Sequence, residues 1–171
     1  MFLLFVYLFI ALFTSFLCSI LEAVLLSTPI SYLVSKAEEG SKSATKMITQ
    51  KEDIDKPLSA ILSLNTIAHT VGAAGVGAQA TLVFGEAYFG LVSAILTILI
   101  LVITEIIPKT LGANYSRELS AFASRTIQGL IWITYPLVIF SSILTKVLAR
   151  KKNQTTSREE ISALANIGTQ E

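Results

Sequence analysis

Three long apolar runs divide the chain, and they cover about residues 2–33, 57–80 and 88–107. Each run reaches the roughly twenty residues that a helix needs to cross the hydrocarbon core of a bilayer. Polar segments rich in charge separate or follow them, so the chain returns to the membrane surface between the runs. The pattern therefore predicts an all-α integral membrane fold with three transmembrane helices.

A fourth apolar run, 126–148, differs from the others because basic residues stand on both of its flanks and Tyr135-Pro136 interrupts it. Positive charge on both sides is unusual for a helix that crosses the membrane. A helix that enters the inner leaflet, breaks at the proline and returns would keep both flanks on one side. We therefore predict a juxtamembrane helical belt over about 112–148, with a fourth span as the alternative.

Composition supports a membrane protein, and the distribution of lysines orients it. The chain has 171 residues, of which 53% are hydrophobic and 15% are charged, whereas about 25% of the residues of a soluble domain are charged. Lysines are concentrated in the loop between the first two runs, so the positive-inside rule predicts a cytoplasmic loop. The N-terminus is then outside and the C-terminus cytoplasmic. The net charge of +1 argues against nucleic acid as a partner.

Polar residues recur on one face of each predicted helix. Spacings of three and four residues place side chains on the same helical face, and a polar face inside a membrane turns towards protein or water rather than lipid. The three faces together predict an internal polar site. Their members are Ser15, Ser19 and Glu22 in the first helix, Ser63, Asn65, Thr66, His69 and Gly72 in the second, and Ser93, Thr97 and Glu105 in the third.

Glu105 is followed closely by Pro108 and Lys109, and this arrangement allows two interpretations. Proline withholds its N–H from the helix and clashes with the carbonyl of Thr104, so backbone oxygens nearby lose their partners. A carboxylate beside such oxygens suits a hard cation. Alternatively, the helix ends at Pro108, with Glu105 reaching water and Lys109 marking the cytoplasmic edge.

The chemistry of the donors narrows the candidate ligand. Hydroxyl, amide and carboxylate oxygens suit Mg²⁺, Ca²⁺ or Na⁺, whereas transition metals prefer histidine and cysteine. The single histidine, His69, and the single cysteine, Cys18, lie on different helices. We interpret His69 as a helix–helix hydrogen-bonding residue, with a proton relay as the alternative. The sequence has no nucleophile–base pair, Gly-rich phosphate loop or His-Glu-x-x-His pattern, so we expect no enzymatic activity.

Motifs in all three helices carry a family resemblance. They are Ser19-Ile20-Leu21-Glu22-Ala23, Leu64-Asn65-Thr66-Ile67-Ala68, and Glu105-Ile106-Ile107-Pro108-Lys109 followed by Thr110-Leu111-Gly112-Ala113. In order and spacing they resemble the CorC/CNNM (cyclin M) transporters over nearly the whole chain. Residues 151–171 are similar to the linker that leads to the family's paired cystathionine-β-synthase-type (CBS) domains, so we expect a fragment without them. One departure is His69, where many relatives carry asparagine.

The resemblance implies a homodimeric transporter that exports magnesium, driven by sodium entry, with residues 1–150 as its transmembrane domain. Nucleotide regulation would belong to the absent CBS domains. We expect the protein in the plasma (inner) membrane of a bacterium or archaeon. A magnesium-sensing membrane anchor that does not transport is the alternative. On matching positions, the resemblance implies that Ser19, Asn65 and Glu105 hold the dehydrated cation, with Ser15, Glu22, Ser63, His69 and Gly112 as accessory positions.

Overall fold

The computed structural model describes residues 1–137, 139, 140 and 143, and this part of the chain contains no strand. The predicted linker 151–171 and the last part of the predicted belt lie outside the described residues. In chain order the helices are α1 (Phe2–Ser27), α2 (Ile30–Glu38), α3 (Lys42–Glu52), α4 (Asp55–Phe84), a 3-10 turn (Glu86–Tyr88), α5 (Phe89–Leu99), a π-helical segment (Ile100–Ile106), α6 (Ile107–Asn114) and α7 (Ser116–Ile133).

Among the described residues, three helices are long and apolar enough to cross a membrane. They are α1, α4 and the stretch Glu86–Asn114, in which α5, the π-helical segment and α6 follow one another and form the third span. Apolar side chains cover their outer surfaces, and Phe9, Leu82 and Ile98 are 69%, 79% and 61% exposed. Lipid is the solvent that suits such a surface. The prediction of an all-α fold with three spanning helices is confirmed.

A break at Thr28 and Pro29 divides the helix predicted over 2–33 into α1 and α2. Thr28 has an extended backbone, with ψ 121°, because the ring of the following proline disfavours helical geometry in the residue before it. Pro29 then stands at the start of α2. Because the residues on both sides of the break are apolar, hydropathy alone predicted a single helix here. After the break α2 packs against α3.

The third span continues through Pro108, so the interpretation in which it ends there is wrong. In the π-helical segment before the proline, the N–H of Ile107 donates to the carbonyl of Val102, five residues back. This wider turn relieves the clash that a proline makes with the carbonyl four residues before it. The span ends at Asn114, and Tyr115 (φ −105°, ψ 27°) turns the chain into α7.

α7 corresponds to the predicted belt, and it begins at Ser116 rather than near residue 112 because 112–114 belong to α6. It packs against α1, α3 and α4. The helix ends at Ile133, where Thr134 closes the last turn through bonds from its N–H and its hydroxyl to the Leu130 carbonyl. The predicted break at Tyr135-Pro136 therefore starts one residue earlier, at Thr134. Residues 135–137 are helical again.

The buried core lies where α1, α4 and α7 meet the short helices α2 and α3. From α3, Gln50 Nε2 donates to the Ser124 carbonyl of α7 at 3.0 Å, and Ser124 Oγ donates to the Ser43 carbonyl at 3.0 Å. These bonds fix α3 against α7. The core cluster consists of Cys18, Leu21, Val24, Leu25, Leu33, Ala44, Met47, Ala60, Ile61, Ala123, Ile127 and Leu130.

Small residues let the spanning helices approach closely. A Cβ added at Gly72 of α4 would overlap the Cβ of Ala11 on α1. A Cβ added at Gly112 of α6 would lie 2.8 Å from both the Ala23 Cβ and the Ile20 carbonyl oxygen. α1 is therefore held against the other two spans at positions that only glycine fits.

Lys51 of α3 caps the C-terminal end of α1. Its Nζ donates to the carbonyls of Leu25 (2.7 Å), Leu26 (3.3 Å) and Thr28 (2.8 Å). Partial burial lowers the pKa of the Lys51 ammonium, and the three carbonyls offset that cost. A cation at a helix C-terminus also complements the helix dipole. The contact supplies donors to carbonyls that the break at Pro29 leaves without helical partners.

Replacing Lys51 with methionine is expected to lower the free energy of unfolding by about 1–2 kcal/mol, because carbonyls at the end of α1 lose a charged donor. Thermal unfolding in detergent, followed by circular dichroism at helical wavelengths, measures the change. Lys46→Met removes an exposed lysine from the same helix and should leave the midpoint unchanged. Equal shifts in the two variants would show that net charge, and not the cap, stabilises this region.

Candidate cation site

Side chains of α1, α4 and the third span meet in one polar cluster. His69 Nε2 of α4 lies 2.6 Å from Ser15 Oγ of α1, which is a hydrogen bond between helices. One turn earlier on α4, Asn65 Nδ2 donates to Glu105 Oε1 at 3.3 Å. His69 Nε2 is also 4.0 Å from that oxygen. Part of each polar face that the sequence predicted therefore meets in this cluster.

The π-helical segment carries Glu105 into this cluster. One extra residue in a turn rotates the rest of a helix by about 100° relative to an uninterrupted α-helix. Within the segment Thr104 is fully buried, and its Oγ1 donates to the Ile100 carbonyl at 2.8 Å. Glu105 is the next residue and faces Asn65. Short π-helical segments within α-helices occur frequently at functional sites.

Lys109 neutralises part of the negative charge of the cluster. Its Nζ lies 3.0 Å from Glu105 Oε2 and 3.4 Å from Glu22 Oε2, so one ammonium bridges a carboxylate of the third span and one of α1. The two carboxylate side chains are 24% and 19% exposed, whereas that of Lys109 is 46% exposed. With His69 neutral, the cluster carries a net charge of −1. The more exposed ammonium can leave the carboxylates without crossing the protein interior.

Two buried oxygens of the cluster region have no hydrogen-bond partner among the described residues: Ser19 Oγ and Asn65 Oδ1. Ser19 is fully buried on α1, one turn from Ser15. The Asn65 amide is oriented by its Nδ2 donation to Glu105, which leaves Oδ1 as a free acceptor. A buried oxygen without a partner costs about 1–3 kcal/mol. A cation that both oxygens contact would remove this cost.

The donor set fits a hard cation. Ser19, Asn65 and Glu105 offer hydroxyl, amide and carboxylate oxygens, the ligand types of Mg²⁺ and Ca²⁺. Within the described part of the chain, no three His, Cys, Asp or Glu side chains are grouped so that they could hold a metal. Cation binding here would therefore depend on the neutral oxygens together with the carboxylate.

A cavity of about 520 Å³ reaches the cluster between α4 and the third span. Glu105 and His69 lie in its wall, and so does Thr97, a member of the polar face predicted for the third helix. On the side that faces the cavity, Glu105 is not covered by α1. Its lining residues are His69, Thr70, Ala73, Thr97, Ile100, Leu101 and Glu105.

Comparison with known protein families identifies the family of the chain. The model of the cyclin M transmembrane N-terminal domain matches residues 6–171, which is nearly the whole chain. The chain belongs to the cyclin M family. It is an integral membrane domain, as the three spans and the bacterial relatives indicate. The resemblance drawn from the three motifs is confirmed.

The curated relatives of this cyclin M domain are longer proteins. A UPF0053 protein of Synechocystis is 33% identical over 146 residues, which cover 85% of this chain and 42% of the relative. A UPF0053 protein of Haemophilus influenzae is 32% identical over 76% of this chain and 33% of its own length. A UPF0053 inner membrane protein of Escherichia coli is 25% identical over 67% of this chain and 27% of its own length. The chain thus spans less than half of each relative.

The cyclin M domain brings together most of the predicted accessory residues. Ser15, His69 and Glu22 contact other members of the cluster. Gly112 lies against α1, where its lack of a side chain permits the close approach. Ser63 makes no described contact with the cluster.

Sequence reasoning missed Lys109 as a member of the cluster, because it treated this lysine as a marker of the membrane edge. The available signal was its position four residues after Glu105, which places both side chains on one face of a helix. The second carboxylate in the bridge, Glu22, was predicted only as an accessory residue. Its contact with Lys109 links α1 to the third span.

Proposed function

We propose that this domain transports Mg²⁺ across the membrane and that Ser19, Asn65 and Glu105 hold the ion between the three spanning helices. One observation carries the proposal: Ser19 Oγ and Asn65 Oδ1 are buried oxygens without a hydrogen-bond partner among the described residues, and the amide of Asn65 contacts the Glu105 carboxylate. Mg²⁺ loses its water reluctantly, so a site that binds it must offer several oxygens at once. Oxygen acceptors from α1, α4 and the third span meet this requirement.

We further propose that transport is export coupled to Na⁺ entry, by a homodimer in the plasma (inner) membrane of a bacterium or archaeon. Lysines are concentrated in region 36–56, which contains α3 and the end of α2. By the positive-inside rule, they support a cytoplasmic position for this end of the spans. Oxygen donors of this kind also accept Na⁺. The similarity of residues 151–171 to the family linker supports a connection to regulatory CBS domains in the longer protein.

Lys109 supplies the counter-charge of the site when no ion is bound. Before the ion arrives, its ammonium occupies the space between Glu22 and Glu105 as a tethered cation. An entering Mg²⁺ competes with it and frees two carboxylates, whose charge of −2 matches that of the ion. When the ion leaves, the ammonium returns, so the partly buried carboxylates do not remain without a counter-charge. The competition makes release possible from a site with strong ligands.

Ser19→Ala is expected to shift stability in opposite directions with and without Mg²⁺. Without Mg²⁺ the variant should unfold at a higher temperature than the natural protein, because it removes a buried hydroxyl that lacks a partner. With Mg²⁺ the natural protein should gain stability as the ion binds the folded state, and the variant should lose most of that gain. Thermal unfolding across a Mg²⁺ titration measures both effects.

Ser63→Ala is the matched control, because Ser63 lies on α4 and makes no described contact with the cluster. It should respond to Mg²⁺ as the natural protein does. If Mg²⁺ stabilises Ser19→Ala as strongly as the natural protein, Ser19 is not a ligand. If Mg²⁺ stabilises neither protein at concentrations that support transport, the proposed site is wrong.

A further inference from the structure

A second cavity lies away from the cation site, between α3, the beginning of α4 and α7. Its volume is about 560 Å³, which is within the range of small-molecule binding sites. We propose that it binds the headgroup of an anionic phospholipid that carries a hydroxyl, with phosphatidylglycerol as the occupant. The lining residues are Lys42, Thr45, Lys46, Thr49, Gln50, Asp53, Lys56, Pro57, Gln128 and Ile131.

The position of the cavity matches the depth of lipid headgroups. Its wall includes Lys56 and Pro57, which stand in the first turn of the spanning helix α4. Close by on α7, Trp132 is 80% exposed, and Tyr135 follows at 58%. Exposed Trp and Tyr are typical of the boundary between the hydrocarbon core and water. The cavity therefore opens at the membrane surface.

The charge of the cavity favours an anion. Lys56 pairs with Asp53 at 2.5 Å, so these two charges cancel. Lys42 and Lys46 form no ion pair or hydrogen bond within the described part of the chain, and both are exposed on α3. Two uncompensated ammonium groups remain in the wall. A phosphodiester is the anion that a membrane offers at this depth.

A buried amide oxygen of Gln50 favours a ligand that also carries a hydrogen-bond donor. Gln50 is 6% exposed, and its Nε2 donates to the Ser124 carbonyl at 3.0 Å. A flipped amide would set Oε1 against that carbonyl, so the orientation is fixed. Oε1 is then a buried acceptor with no partner among the described residues, in a side chain that lines the cavity. Because this oxygen is closed to solvent, a small movement of the Gln50 side chain opens it to a headgroup hydroxyl that donates to it, while the phosphate of the same headgroup meets the lysines.

Pro57 and Ile131 supply the apolar part of the wall. They suit the glycerol backbone and the first methylenes of the acyl chains, which lie just below the phosphate. A soluble phosphate lacks this apolar portion and the hydroxyl. The combination of two lysines, one amide acceptor and an apolar floor therefore favours a lipid over a free anion.

Trp132, the only tryptophan of the chain, provides a test through quenching by brominated lipids. The chain is reconstituted in phosphatidylcholine bilayers that contain either brominated phosphatidylglycerol or brominated phosphatidylcholine, and the relative binding constant is measured. We expect a preference for phosphatidylglycerol of about 25-fold, because each of the two lysines contributes roughly fivefold. Lys46→Gln should lower the preference by about fivefold. Lys36→Gln, a control for a lysine that pairs with Glu39 outside the cavity, should not.

Phosphatidylmethanol separates the two parts of the proposal, because it has the same charge and no hydroxyl donor. It should bind about threefold more weakly than phosphatidylglycerol. Equal binding would overturn the role of Gln50, and a preference unaffected by Lys46→Gln would overturn the site. Loss of the preference in millimolar inorganic phosphate would indicate a site for soluble anions instead. A preference that appears only after deletion of 151–171 would show that the chain itself fills the cavity.

Discussion

Replacing Glu105 with glutamine is expected to abolish Mg²⁺ transport and to weaken Mg²⁺ binding by at least about a hundredfold. Glutamine keeps the size of the side chain and a carbonyl oxygen that can accept from Asn65, so the helices can still pack. It removes the negative charge that makes the cluster attractive to a divalent cation. Loss of residues that only support metal ligands costs about 10–100-fold in affinity, and loss of a charged ligand should cost more.

Flux into proteoliposomes that enclose a Mg²⁺-sensitive dye measures the loss of transport, and a Mg²⁺ titration of thermal stability measures binding. Glu86→Gln is the matched control, because Glu86 is an exposed residue at the opposite end of the same span. It should leave both measurements unchanged. Normal flux in Glu105→Gln would contradict the proposed site. Mg²⁺ binding without flux in the natural protein would favour a magnesium-sensing anchor over a transporter.

The polar cluster could be predicted from the sequence because its members follow the period of the α-helix. Asn65 and His69 are four residues apart, as are Ser15 and Ser19, and an apolar background makes these pairs visible. A polar face must avoid lipid, so three such faces can meet only in the interior. This reasoning predicted that the faces containing Asn65 and Glu105 converge, whereas their grouping around one cation was implied by the family resemblance.

The path of the backbone around the cluster could not be predicted in the same way. Pro108 favours the end of a helix, yet the π-helical segment before it lets the span continue to Asn114. That outcome depends on packing, because Gly112 can lie against α1 only if the helix extends that far. At Pro29 the proline does break the helix, and Lys51 from another helix caps the exposed end. Local sequence signals are similar at the two prolines, and tertiary contacts decide between them.

Replacing Lys109 with methionine is expected to strengthen Mg²⁺ binding by about tenfold, the opposite of the effect at Glu105. The ammonium competes with the ion for Glu22 and Glu105, so its removal leaves two carboxylates without a counter-charge. The ammonium and the Glu105 carboxylate attract each other at 3.0 Å. Because the Lys109 side chain is almost half exposed, solvent screens part of this attraction, and we expect a moderate effect. We expect slower release as well, and therefore a lower maximal rate of transport. A Mg²⁺ titration and flux under saturating Mg²⁺ measure the two effects.

Lys109→Arg is the control, because a guanidinium carries the same charge and can also bridge two carboxylates. Its Mg²⁺ affinity should stay close to that of the natural protein. Weaker binding in Lys109→Met would show that the ammonium holds Glu22 and Glu105 in place rather than competing with the ion. Tighter binding together with slower flux would instead establish that the site alternates between a tethered cation and a transported one. In that case, the third span carries both the ligand, Glu105, and the group that displaces the ion, Lys109, one turn later.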